Sequence, residues 1–243
     1  ELPRYRDMRN VTVFSVLFLG CIAQQLPASF KVCDHFAPDV NACLKDAILS
    51  ALGQLKDGLP EIGAVALDPL HIANITVHKF GNEFSFINVM IDHLSKVAVT
   101  DLRSDLTREK FWLEFNMTAD DIIAEMDYSI KGKLLMFSVD GGGRGELHMK
   151  NMVIQATLIG GVTSDGKYYN LDDLNLKLYP KMVKYRLENI VPGQKEISDQ
   201  INDVLNDTWD MLWDAFKVDL EEILDKFFLE YANNILKYVP ISP

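Results

Sequence analysis

Apolar residues recur at helical spacing after Pro38-Asp39, at Leu44, Ala47, Ile48, Ala51, Leu52 and Leu55. Residues three and four apart share one face of a helix, so this segment predicts an amphipathic helix that ends near Gly58, with Pro60 beyond it. After the turn-rich stretch from Glu61 to Pro69 the period falls to two, and no helix is predicted between Ile72 and Leu187. The clearest strand covers 111–118, where Phe111, Leu113, Phe115 and Met117 share one face and Glu114, Asn116 and Thr118 the other. Alternation returns at Ile122, Ala124, Met126, Tyr128 and Ile130, then at Met152, Ile154, Ala156 and Leu158. It returns again at Leu174, Leu176 and Leu178, and at Val183, Tyr185 and Leu187. Turn signals separate these runs: Gly132, the cluster Gly141-Gly142-Gly143-Arg144-Gly145, Gly160-Gly161, Ser164-Asp165-Gly166 and Pro180. The acid pairs Asp120-Asp121 and Asp172-Asp173 read as solvating turns beside strands. The result is a long antiparallel meander with one apolar face that something must cover.

The cover is predicted at the far end. Ile197, Ile201, Val204, Leu205, Leu212, Trp213 and Phe216 form one helical stripe; Leu220, Ile223, Leu224, Phe227, Phe228, Tyr231 and Ile235 form a second. They read as one long bent helix or as two joined near Lys217-Val218. Helix, strands, then helix implies an α+β domain in which a highly curved antiparallel sheet wraps a long C-terminal helix. The aromatic residues of these stripes, Trp209, Trp213, Phe227, Phe228 and Tyr231, read as core.

The start of the chain follows neither period. Arg9 precedes a mostly apolar run from Val11 to Ala23, with small or neutral Cys21 and Ala23 placed for cleavage after Ala23, which is the pattern of a secretion signal. The run falls short of the roughly 18 apolar residues of a membrane span. Residues 1–23 are therefore expected to be a signal peptide, with 1–7 an extension ahead of an initiator at Met8, and 24–243 a single domain. Of three cysteines, Cys21 falls in the leader; the remaining Cys33 and Cys43 read as one disulfide in an oxidising compartment. Secretion gives meaning to three glycosylation sequons, at Asn74, Asn116 and Asn206.

Charge and motifs then remove whole classes of function. A net charge of −11 argues against nucleic acid and against adsorption to anionic membranes. The chain carries no Gly-x-Ser-x-Gly elbow, no His-Glu-x-x-His and no phosphate-binding loop, and its five histidines are dispersed. No enzyme, cofactor or metal is expected.

Five segments together resemble the insect takeout and juvenile-hormone-binding proteins: LPASFKVC at the mature start, VNACLKDAI, GLPEIGAVALDPL, DYSIKGKLLMFSVDGGGRGELHMKN, and the closing LNDTWDMLWDAFKVDLEEILDKFFLEYANNILKYVP. The sequence departs from that family at His93, where a glycine is expected, and lacks a usual proline before Tyr128. The resemblance implies a tubular lipid-binding fold with an elongated apolar tunnel. It also implies a monomeric carrier of a small lipophilic ligand, such as a juvenile-hormone-like terpenoid or a fatty acid, in haemolymph or around sensory and feeding tissues, with a link to feeding or circadian physiology. No stable membrane insertion is implied. An alternative is an extracellular signalling or chemosensory protein that acts through an unidentified receptor, with lipid as filler. Expected tunnel residues are Phe86, Met90, Phe115, Met117, Ala124, Met126, Phe137 and Met152, with Tyr128 and Tyr185 as polar groups that orient the ligand.

Overall fold

The computed structural model describes residues 26–79, 81–134 and 137–241, without the side chains of 133–139, so the expected leader at 1–23 lies outside the described residues. A first helix, α1 (Val40–Gln54), precedes seven strands: β1 (Leu70–Lys79), β2 (Asn82–Asp92), β3 (Ala98–Leu106), β4 (Lys110–Leu134), β5 (Phe137–Val162), β6 (Tyr169–Tyr179) and β7 (Met182–Leu187). Two helices close the chain, α2 (Lys195–Asp207) and α3 (Trp209–Leu236). The sheet is antiparallel in the order β1-β2-β4-β5-β6, with β3 also on β4 and β7 also on β5.

The spine is the β4–β5 hairpin, whose strands run 25 and 26 residues. At about 3.3 Å per residue each is on the order of 80 Å long. Residues 111–118 of β4 pair with β3 and 123–131 with β2; 145–150 of β5 pair with β7 and 153–162 with β6. The two strands predicted at 111–118 and 122–130 are thus one. Between Ala119↔Met152 and Asp121↔Lys150 the register drops Asp120 and Asn151, and Asn151 has φ 47°. One extra residue on each strand bends the hairpin and shifts the inward set from odd to even positions of β4. The Asp120-Asp121 pair therefore sits at a mid-strand bend, where a turn was expected.

The glycine cluster is likewise strand. A Cβ on Gly141 would lie 2.2 Å from the Ile190 carbonyl oxygen and one on Gly143 2.5 Å from that of Glu188. The segment after β7 crosses β5 there at backbone distance, which only glycine permits.

The final helices break at Thr208 (φ −117°, ψ 30°), about two turns after Ile201, the first buried residue of the stripe, and well before Lys217-Val218. The Thr208 hydroxyl donates to the Val204 carbonyl at 2.7 Å, a back-bond that competes with the helical ladder and bends the chain. Inner strand residues and the stripe of α3 form one large core; a second, smaller cluster of Phe30, Leu55, Ile62, Ala64 and Leu67 lies under the loops around α1. Cys33 and Cys43 are disulfide-bonded, with Cα atoms 5.9 Å apart, and tie the leading segment to α1.

A sheet this curved has open edges, and one of them is paired with side chains. Asn206 Oδ1 accepts the Tyr185 N–H at 2.8 Å while its Nδ2 donates to the Tyr185 carbonyl at 2.9 Å. Asn202 treats Leu187 in the same way, at 2.8 Å for both bonds, and Asn233 treats Leu171 so at 2.8 and 3.0 Å. Glu221 accepts the Leu178 N–H at 2.9 Å and Asp225 that of Leu176 at 2.6 Å. The spacing explains the match: four residues of helix advance about 6 Å and two residues of strand about 6.6 Å. Polar side chains of α2 and α3 thus stand in for an eighth strand along β6 and β7, satisfying N–H groups that an uncovered edge would leave open.

Candidate functional site

The inward residues of the sheet and the stripe of α3 do not fill the space between them. They enclose a cavity of about 440 Å³, within the ordinary range of ligand sites. Its walls come from β1, β2, β4, β5, β6 and β7 and from α3. One end is closed by Ile48, Leu52 and Leu55 of the α1 region against Phe228, Tyr231 and Ile235 of α3. The other lies beneath the β1–β2 hairpin, where Phe84 meets Phe216 edge-on at 4.9 Å beside Leu212 and Trp213.

Among the described lining residues Lys217 alone is charged. Its stem lies along the wall, and its ammonium pairs at 2.6 Å with Asp214, which is well exposed. The wall is otherwise hydrocarbon and aromatic, so it offers dispersion and desolvation with almost no directional contact.

Of the expected tunnel residues, Phe86, Phe115, Met117, Ala124, Met126, Met152 and Tyr185 line this cavity. Met90 does not. Asn88 adopts φ 52° at a register shift between Ile87 and Met90, and the extra residue turns Val89 and Ile91 inward in its place. Tyr128 is buried behind the wall, and its hydroxyl donates to the Glu188 carbonyl at 2.6 Å. Burial and the neighbouring Glu188 push that phenol up to about 12. The Phe137 side chain lies outside the described residues. Sequence reasoning passed over Trp213, Phe216 and Phe228 as wall residues because their stripe reads as core, and only the geometry separates a filled interior from a hollow one.

The candidate sugar-bearing positions divide as well. Asn74 is exposed on β1, an outer strand of the sheet, and Asn116 is half-buried on β4. The Asn206 carboxamide is committed to the Tyr185 backbone, and its Nδ2 also donates to the Asn202 carbonyl at 2.9 Å.

Polar chemistry gathers on the outer face. His148 Nδ1 lies 3.2 Å from Asp121 Oδ2, its Nε2 lies 2.5 Å from Glu146 Oε1, and Lys150 pairs with the same Asp121 oxygen. Glu146 first and Asp121 second hold the imidazole above its ordinary range against the opposing effect of burial. None of these four residues lines the cavity. Among the described residues no cluster of histidine, cysteine and carboxylate side chains is arranged for a metal ion. Among them, too, no helix is long and apolar enough to cross a membrane.

His93, at the family's expected glycine, has φ 75°. Asp68 Oδ1 accepts its backbone N–H at 2.7 Å, and its Nδ1 lies 2.9 Å from the Asp121 carbonyl oxygen, so side-chain bonds hold a left-handed residue in place. Burial alone would raise the Asp68 carboxyl. The Ser95 hydroxyl and the backbone N–H groups of His93 and Ser95 outweigh it and hold the group below its usual value.

The model of a family described as haemolymph juvenile hormone binding protein matches residues 12–243. In fold the chain is similar to the crystal structure of Epiphyas postvittana Takeout 1, at 22% identity and a TM-score of 0.73, over 83% of this chain and 94% of that one. A weaker likeness, at 10% identity and a TM-score of 0.41, relates 83% of the chain to 38% of lipopolysaccharide binding protein. No curated protein matches the sequence.

Proposed function

The chain belongs to the haemolymph juvenile hormone binding protein family, and from that premise we propose that it is a secreted, monomeric carrier that encloses one long, mostly apolar molecule. The observation that supports this most is the continuous hydrocarbon wall from the α1 end to the β1–β2 hairpin. At about 0.8 kcal/mol per methylene, a dozen enclosed methylenes offer roughly 10 kcal/mol before the cost of association. An association cost of about 4 kcal/mol leaves roughly 6 kcal/mol, an affinity of tens of micromolar without a charged anchor, and each further enclosed methylene tightens it about fourfold. A terpenoid of the juvenile-hormone type or a fatty chain suits such a wall, because both expose methyl and methylene groups along most of their length. A link to feeding or daily rhythm is the physiological side of the same reading, and expression followed through a feeding cycle tests it.

Native mass spectrometry of the protein secreted from insect cells, before and after organic extraction, tests the carrier reading. A discrete extractable lipid supports it. A ligand-free mass, with no displacement of a fluorescent fatty-acid probe by terpenoids or fatty acids, overturns it.

A further inference from the structure

This inference rests on the secretion reading and concerns the outside of the sheet. Four strands, β1, β3, β6 and β7, lie at its edges, and three of them are covered. Side chains of α3 bond to β6 and those of α2 to β7, while α1 lies on β3 through Ser104–Asn41 and Lys45–Thr100. The fourth is β1. Among the described residues it pairs with β2 alone, and no other backbone bond reaches it. Alternate residues of an antiparallel strand turn their N–H and C=O groups away from the partner, so β1 presents a row of open backbone groups.

The composition of β1 makes that edge adhesive. Its ladder with β2 lapses at Ala73, opposite Asn88, and then runs unbroken from Asn74 to Lys79. The strand carries Ile72, Ile75, Thr76 and Val77, with no Pro, no Gly and no acid. Its one Lys, Lys79 at the hairpin end, is taken up by Asp219 at 2.7 Å. High β propensity with little charge is the mark of a strand that pairs with copies of itself, and the usual guards, a free Lys or a Pro, are missing from it. Ile75 and Val77 are buried in the cavity wall, whereas Asn74 and Thr76 are exposed on the opposite face. Those two exposed residues are the first and third of a glycosylation sequon.

We propose that Asn74 carries an N-linked oligosaccharide and that this sugar guards the β1 edge, keeping two copies of the chain from joining their sheets. In the attachment, Asn74 Nδ2 forms a bond to the anomeric carbon of a polyprenyl-diphosphate-linked oligosaccharide. The bond from that carbon to the diphosphate oxygen breaks, the polyprenyl diphosphate leaves with the electron pair, and the amide gives up one proton. Pairing of two β1 strands brings their backbones to about 4.8 Å, and a two-fold antiparallel arrangement sets both Asn74 side chains on one face, a few residues apart. Two bulky, hydrated sugars cannot share that space. The other sequons do not serve this edge: Asn116 lies on β4 between β3 and β5, and Asn206 is committed to the Tyr185 backbone.

The test is secretion from insect cells of the wild type and of variants at Asn74 and Thr76, read by glycopeptide mass and by light scattering over a range of protein concentration. The wild type and Thr76→Ser, which keeps the sequon, should carry sugar at Asn74 and stay monomeric. Asn74→Gln and Thr76→Val lose the sugar and should associate to about twice the protomer mass or more as concentration rises. Thr76→Lys also loses the sugar but sets a charge on the edge strand, so it should remain a monomer. Far-ultraviolet circular dichroism checks that each variant is folded. Where a sugarless variant is not released by the cells, trimming the folded wild type with an endoglycosidase gives the same comparison. Three results overturn the inference and leave ligand carriage standing: an unmodified Asn74 in the secreted wild type, an Asn74→Gln protein that stays monomeric at every concentration, or association of Thr76→Lys equal to that of Asn74→Gln. Wild-type protein held inside the cells overturns the secretion on which both readings rest.

Discussion

The inner wall of the cavity and the β6–β7 edge bury the same strands, yet they are built on opposite terms. Along the wall Leu174, Leu176 and Leu178 meet their surroundings through non-directional contact, and what matters is volume. Along the edge the backbone N–H groups of Leu176 and Leu178 donate to Asp225 and Glu221 of α3 through bonds of fixed direction and length. A wall of the first kind can accept guests of varied shape. An edge of the second kind keeps the wall from moving while it does so, which is why a hollow molecule can hold its form.

The contrast predicts an order of sensitivities. The edge should be the more fragile: Asn202→Leu combined with Asn206→Leu strands two N–H and two C=O groups of β7, at about 1–3 kcal/mol for each site. Denaturant unfolding should show that loss in full; a change below about 1 kcal/mol would mean the amide pairs are ornamental. On the wall, Ala124→Trp should lower ligand affinity at least tenfold, about 1.4 kcal/mol, by occupying the cavity, with little change in melting temperature. Unchanged affinity would place that face away from the ligand. A volume-conserving wall change, Leu176→Met, should cost under about 1.5 kcal/mol in stability.

The weakest effect is expected outside both regions. His35 is 7% exposed, packs on the Tyr169 ring at 5.3 Å and has an unbonded Nδ1. Desolvation lowers its folded-state value despite the opposing charge of Asp34. A depressed histidine contributes stability that is present above its unfolded value, near 6.5, and is lost as pH falls through its folded value. Melting curves between pH 7.5 and 5 should therefore fall less steeply for His35→Phe than for the wild type. Equal slopes would remove His35 from the account.

The same contrast explains what the sequence could say. Periodicity reports which residues face inward, and it located α1, the strands from Phe111 to Leu187 and the stripe of α3. It cannot report parity changes. Met90 shares the alternation of Phe86, and only the left-handed Asn88 reveals that Val89 has taken the inward place. Nor can it distinguish a wall from a core, because Trp213 and Phe216 satisfy the same helical period in either case. The edge was illegible for a different reason. Asn202, Asn206 and Asn233 are polar residues on amphipathic helices, which ordinarily means solvent, and Asn206 also heads a glycosylation sequon. The signal available was the i, i+4 repeat of asparagine opposite a strand with two-residue spacing, visible once both elements are placed. Glycopeptide mapping of the secreted protein should accordingly find sugar at Asn74 and none at Asn206; modification at Asn206 would show that the amide pair can be spared.

α3 and α1 are fastened to the sheet by unequal means. To part α3 from the sheet, Glu221, Asp225 and Asn233 must release the backbones of Leu178, Leu176 and Leu171 together. α1 has no fully buried residue, and the exposed bonds Ser104–Asn41 and Lys45–Thr100 hold it to β3. The Cys33–Cys43 link limits how far it can drift. Exchange would then proceed by brief excursions of a tethered helix, so that residence time is governed at the α1 end while selectivity is governed deep inside.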